Sequence, residues 1–233
     1  MSTPHIQSET FAFLRDLEQN NYREWFQEHK ARYQAAHENV IAVAEEIMTR
    51  MSEHDHLVHR SGKQMLFRIY RDVRFSKDKS PYKSHFSGRM KRATPYLRGG
   101  YYFRLGPGQS MMAGGFFSPN PEDLKRIRTE IADDAMPLRE IIAEEHFQAH
   151  FGELSGEGVK TAPKGFDKTH PDIDLIRKKQ FIARRTFTDK EVLSPDFLDE
   201  LEDAFLALRP YFDYMSELLT TDGNGQRISY PES

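Results

Sequence analysis

The sequence predicts an α+β fold: one domain, with a mainly antiparallel sheet flanked by N-terminal and C-terminal helices. Three observations carry this. Apolar residues recur at helical spacing through the first third of the chain. Short apolar and aromatic runs, broken by glycine and proline, fill residues 64–117. Helical spacing then returns, interrupted by one late apolar run. Strands that cluster, rather than alternate with helices, argue against a parallel α/β sheet.

The elements follow in order. Ser8 is placed to cap a helix carrying Phe11, Leu14 and Leu17, and Asn20-Asn21 ends it. Tyr22, Trp25, Phe26, His29 and Tyr33 repeat at helical spacing, continued by Val40, Val43, Ala44, Ile47, Met48 and Met51. That spacing reads as core packing, not as a stacking platform. Strands are expected at Leu66–Ile69, His85–Met90, Gly100–Leu105 and Ser110–Phe117, with Gly106-Pro107-Gly108 as a hairpin turn. Pro119-Asn120-Pro121 precedes a helix whose first turn holds Glu122 and Asp123, where the helix dipole favours acids. Leu124, Ile127, Arg128 and Ile131 continue it. Further helices are expected over 137–150, at Ile173–Lys178 and from Pro195, with a strand over Gln180–Phe187. Arg209-Pro210 should kink or end the Pro195 helix, with a last turn or two from Tyr211 to Leu219. The expected domain spans residues 1–219, and residues 220–233 read as a flexible tail.

Composition narrows the class. The chain has 233 residues, 30% of them charged and 12% aromatic, and no cysteine. It is too aromatic for a disordered chain. Without cysteine it has no disulfides, thiol nucleophiles or thiolate metal sites. The start, Met1 to His5, lacks the basic and apolar regions of a secretory signal. Apolar runs fall far short of the ~20 residues of a membrane helix. The expectation is a soluble cytoplasmic protein with no membrane partner.

Charge is segregated along the chain. The formal net charge is -3. Residues 60–92 carry eleven basic and two acidic side chains, net +9, and residues 160–190 carry nine and four, net +5. Acidic stretches surround both blocks. Like charges so close repel, and an anion is one reason for them to converge.

The densest stretch runs from Arg68 to Lys83, with six basic residues and two acids. Arg71, Arg74, Lys77, Lys79, Tyr82 and Lys83 are ligand-binding candidates, because arginine offers a planar fork and lysine a point charge to phosphate or carboxylate. Asp72 and Asp78 should stay ionised among these cations, and either could act as a base. The competing reading is an ion-pair network that pins a loop. The second block contributes Lys164 as a ligand contact and His170, which titrates near neutrality, as a catalytic candidate. Its bland alternative is a turn histidine before Pro171.

No metal or cofactor is expected. The run His54-Asp55-His56-Leu57-Val58-His59 lacks the context of a metallo-hydrolase motif. His146 and His150 share a helical spacing, but Phe147 stands where a zincin has glutamate. Arg98–Phe103 matches the RNA-recognition strand motif poorly. Gly114-Gly115 fits either a bulge or a close backbone approach to a ligand.

The segment Arg71-Asp72-Val73-Arg74-Phe75-Ser76-Lys77-Asp78-Lys79-Ser80-Pro81-Tyr82-Lys83 resembles the signature of the domain of unknown function 2461 family, found in bacteria and fungi. The resemblance extends to Asn20-Asn21 with Trp25-Phe26, Gly114-Gly115 with Pro119, Pro163-Lys164-Gly165-Phe166 with His170-Pro171, and Lys179. It covers roughly Ser8 to Leu218. It implies one domain in which both basic blocks belong to a recurring design, and it names no substrate.

Three functions follow as expectations. The first is binding of a phosphate- or carboxylate-bearing small molecule at a basic pocket, with or without catalysis. The second is a nucleic-acid-binding module, in which Tyr70, Phe75 and Tyr82 interleave with the cations. The third is a protein-interaction domain whose basic motif is a structural ion-pair network.

Overall fold

A computed structural model describes residues 3–222 and 224–228. The fold is α+β. Helices α1 (Ser8–Gln19), α2 (Arg23–Glu28), α3 (Lys30–His54) and α4 (Gly62–Met65) come first. Strands β1 (Phe86–Lys91), β2 (Gly100–Leu105) and β3 (Ser110–Phe116) follow. Then come α5 (Pro121–Asp133), α6 (Met136–Ala143), α7 (Glu145–Phe151) and α8 (Ile173–Ile176). Strand β4 (Phe181–Phe187), α9 (Asp189–Val192), α10 (Phe197–Leu206) and α11 (Arg209–Thr220) complete the order. The sheet is antiparallel and ordered β1-β2-β3-β4, so each strand lies beside its sequence neighbour. No helix among the described residues is long and apolar enough to cross a membrane.

Packing divides the chain into two compact units, each discontinuous in sequence. The first holds residues 3–91, 102–112 and 186–203. Its core is the apolar stripe of α1 and α3, with Phe11, Leu14, Val40, Val43, Ala44 and Met51 fully buried. Ser8 is the first helical residue of α1 and not its cap, which is Gln7. The entry to α1 is satisfied from α3 instead. Asn39 Oδ1 accepts from the Gln7 amide at 3.0 Å and from the Thr10 hydroxyl at 2.8 Å. The turn of the β2–β3 hairpin is the expected one. The Gln109 amide donates to the Gly106 carbonyl at 3.0 Å, and Gly108 takes a φ of 64°. Asp189 fastens this turn by accepting from the Gly108 amide at 2.7 Å and from Arg15 at 2.7 Å.

The expected strand at Leu66–Ile69 does not form. Leu66 pairs with Gly88 and Tyr70 with Tyr82, in isolated bridges. Three residues between the bridges on one side therefore face five on the other, and this two-residue bulge breaks the ladder.

The second unit holds residues 92–101, 113–185 and 204–228 of the described chain. Asn120 caps α5: its Oδ1 accepts from the Asp123 amide at 2.8 Å, while its amide donates back to the Asp123 carboxylate at 3.0 Å. The expected helix over 137–150 is two helices, parted at Glu144, whose backbone is extended and whose side chain caps α7. Arg209-Pro210 opens α11 rather than kinking a longer helix, because proline's missing amide is harmless in a first turn. The tail from Thr220 is partly paired: Thr221 bridges Arg227, and the Ile228 amide donates to Thr220 at 2.8 Å. The remainder of the expected flexible tail, from Ser229, lies outside the described residues.

Gly114 and Gly115 answer to packing. A Cβ on Gly114 would sit 2.3 Å from Leu208 Cδ1, and one on Gly115 would sit 2.2 Å from the Phe181 carbonyl oxygen. Gly115 also has a φ of 135°, which L side chains rarely adopt. Strand β3 thus lies against β4 and α11 at a distance only glycine permits. Gly115→Ala should lower unfolding stability by about 3 kcal/mol, from backbone strain and overpacking together. Gly108→Ala meets nothing within 4 Å and should cost about 1 kcal/mol for its left-handed φ. Urea midpoints of the two variants check this, and equal losses would refute the close-approach account.

Candidate functional site

The first basic block forms an arm within the first unit. Its two sides are joined by backbone bonds. The Lys83 amide donates to Ile69 at 2.8 Å, and the Arg71 amide donates to Pro81 at 2.9 Å. Pro81 has no amide to offer and contributes only its carbonyl, so proline is tolerated here. Asn21 clamps the base of the arm. Its Oδ1 accepts from the Tyr82 amide and its amide donates to the Tyr82 carbonyl, both at 3.0 Å. Tyr82 is buried and stacks on Phe26, with ring centroids 4.0 Å apart and planes 12° from parallel.

Residues 72–80 form the loop at the end of the arm, and two aspartates shape it. Asp72 takes the fork of Arg74, with Nε at 3.0 Å and Nη2 at 2.6 Å. This pairing, with the Arg74 amide, holds the Asp72 carboxyl below the usual carboxylate range. Asp78 accepts from the Ser80 hydroxyl at 2.7 Å and the Ser80 amide at 2.9 Å, and it pairs with Arg71. Ser80, then Arg71, holds its carboxyl well below the usual range. Both acids are therefore ionised and occupied in closing turns.

The cations divide by what holds them. Arg71 and Arg74 meet the aspartates. Lys79 Nζ donates to the Val73 carbonyl and Lys83 Nζ to the Arg68 carbonyl, each at 2.9 Å. Lys77 is exposed. Burial, then the neighbouring Tyr70, raises the Tyr82 hydroxyl's pKa.

One residue beside the arm drew no attention in the sequence. His85 is part-buried, and its pKa is lowered to about 4 by burial, then by Arg104, Lys83 and Arg71. Three cations thus act on one neutral imidazole. The available signal was a histidine two residues after Lys83, but Arg104 is remote in sequence and gave none.

The second basic block lies in the second unit as far as Arg185. His170 is fixed by backbone. The Asp172 amide donates to Nδ1 at 3.1 Å, so Nε2 carries the proton and donates to the Ala132 carbonyl at 3.1 Å. Nε2 joins the loop to the end of α5, and Nδ1 closes a local turn with Asp172. Lys164 is exposed on the loop Pro163–Phe166. That loop and α5 enclose a cleft of ≈ 520 Å³, whose lining includes Lys125, Arg128, Asp133, Lys164 and Phe166.

Arg128 distinguishes this cleft. Its Nη2 donates to the Lys178 carbonyl at 3.0 Å, and its Nε is buried without a partner. Burial alone lowers its pKa, with no carboxylate acting to raise it. The sequence held a signal here that its reading did not use, since Arg128 falls beside Ile127 and Ile131 on an otherwise apolar spacing. The arm thus belongs to the first unit and the cleft to the second.

A family model described as "Conserved hypothetical protein (DUF2461)" matches residues 9–214. The chain belongs to this family, the one its sequence resembles. No curated protein and no solved structure matches the chain.

The environment of His85 makes stability depend on pH. An unfolded histidine takes up its proton near 6.5, whereas His85 in the fold does so near 4. Between those values the unfolded chain binds more protons, so stability should fall as pH drops from about 6.5 to about 4. His85→Gln should flatten that part of a denaturant-midpoint profile. Superimposable wild-type and variant profiles across this window would show that the imidazole is not held neutral.

Proposed function

We propose that the protein binds a small molecule bearing phosphate or carboxylate in the cleft between α5 and the Pro163–Phe166 loop. Arg128, Lys125 and Lys164 hold the anion. The observation that carries this reading is Arg128: a half-buried guanidinium with one carbonyl partner, a buried Nε without a partner and no carboxylate pairing among the described residues. Burying a cation without a counter-charge is unfavourable, and an anion delivered by a ligand offsets that cost. Lys125 and Lys164 add positive charge at the same cleft, against the single carboxylate of Asp133. Phe166 and the ring of Pro163 give the remainder of a ligand an apolar wall.

The arm supports this role less well. Asp72 and Asp78 already supply counter-charge to Arg74 and Arg71. The protein works in the cytoplasm on this reading, where phosphorylated and carboxylated metabolites are plentiful. His170 lies on the same loop segment but spends both nitrogens on backbone. Binding therefore has stronger support than proton transfer.

Arg128→Met tests the proposal because it separates ligand from fold. Replacing a half-buried cation that has no counter-charge by an apolar chain of similar length should leave the unliganded protein about as stable as wild type. Wild type should gain roughly 2.7 kcal/mol when a phosphate or carboxylate ligand is present at ~100 Kd. A thermal-shift screen with inorganic phosphate, pyrophosphate, nucleotides and dicarboxylates measures this. A wild-type shift that Arg128→Met abolishes supports the site. No shift with any of these anions, or a shift that survives in Arg128→Met, sinks it.

A further inference from the structure

The arm carries a second feature that anion binding at the cleft does not use. Phe75, at the far loop, is 97% exposed. Tyr70 and Phe67, further down the same side of the arm, are 48% and 39% exposed. A ring as free as Phe75 contributes nothing to packing. The loop that presents it is nevertheless well defined, because the Asp72–Arg74 and Asp78–Ser80 turns close on either side. Cations accompany the rings. Arg74 lies over Phe75 at 5.9 Å from the ring centroid, and Lys83 and Arg89 approach Phe67 at 5.7 Å and 5.8 Å. Arg68, Lys77 and Lys79 are exposed along the same arm.

We infer that the arm docks single-stranded nucleic acid, with Phe75 and Tyr70 stacking on bases and Arg68, Lys77 and Lys79 following the phosphates. Aromatic faces interspersed with cations are how sequence-tolerant single-strand binders work. The strand must be single, because bases within a duplex keep their faces covered by their neighbours. A lipid surface fits less well. Membrane insertion rewards apolar area buried together, whereas Phe75 stands alone at the tip between charged residues. Asp72 and Asp78 do not oppose a polyanion strongly, since arginines already cover them. The turns that hold the loop reduce the ordering cost of docking.

Fluorescence anisotropy with labelled oligo-dT and oligo-U of about a dozen nucleotides tests the inference, at about 50 mM and 200 mM salt. Wild type should bind both strands, bind a duplex of equal length more weakly, and lose affinity steeply with salt. Phe75→Ala should weaken binding roughly ten-fold, and Phe75→Trp should preserve or strengthen it. The melting temperature of Phe75→Ala should equal that of wild type, because the ring touches solvent. Lys77→Gln with Lys79→Gln should shallow the salt dependence. Affinity unchanged by Phe75→Ala would overturn the inference, as would equal binding of duplex. Absence of oligonucleotide binding at the lower salt, alongside capture by phosphatidylserine vesicles, would assign the arm to membranes and overturn it too.

Discussion

The side chain of Asn21 pairs with both edges of the Tyr82 peptide, as a neighbouring strand would. Much of the first unit's exposed chemistry depends on that pairing. The arm has no continuous ladder of its own, only isolated bridges either side of a bulge. Asn21 supplies the missing bonds from the α1–α2 junction, and the Phe26–Tyr82 stack packs the ring beside them. Each such bond contributes only about 1 kcal/mol net, but leaving the Tyr82 amide unpaired beside a buried ring would cost more. The pairing of Asn20-Asn21 with Trp25-Phe26 in the sequence thus has a plain reason. The first motif ends a helix and grips the arm; of the second, Phe26 is the ring on which the arm rests, while Trp25 packs against Phe13 and His29.

The two basic blocks handle like-charge repulsion differently. In the arm, Asp72 and Asp78 sit between cations in sequence and neutralise two of them through turns of a few residues. Carbonyl oxygens accept from Lys79 and Lys83. In the cleft, Arg128 has a carbonyl and nothing negative. Composition treats the two blocks alike, since both are positive stretches in an acidic chain. Geometry separates a block in which two arginines carry their own counter-charge from one whose half-buried arginine has none among the described residues.

Helical spacing and turn chemistry made most of the fold legible. The stripe from Phe11 to Met51, the Gly106–Gln109 turn and the Asn120 cap could each be read locally, because the residues that decide them are a few positions apart. Leu66–Ile69 could not. Its pairing depends on the bulge before Gly88, and an apolar run does not encode its partner's register. The Ser8 cap failed for a related reason, since Asn39, thirty-one residues on, performs that task. At the candidate site, the ion-pair reading of Asp72 and Asp78 was accessible from charge alternation alone. His85 was not, because its cationic surroundings include Arg104, which only the sheet brings near. Arg128 was visible as a charged residue on an apolar spacing, but its missing counter-charge is a property of the folded surroundings.

The discontinuity of the units bears on how the chain is made. The first unit draws on residues 186–203 for its completion, and the second begins as early as residue 92. A growing chain therefore cannot finish one unit and then start the next, as a string of independent domains does. Asp189 illustrates the wait, since Arg15 and the Gly108 amide find their shared carboxylate only after 188 of the 233 residues have been made. Until then the β2–β3 turn and the first helix lack a common anchor. Cutting the chain at any point between 112 and 186 would divide the first unit, so neither fragment would hold it whole.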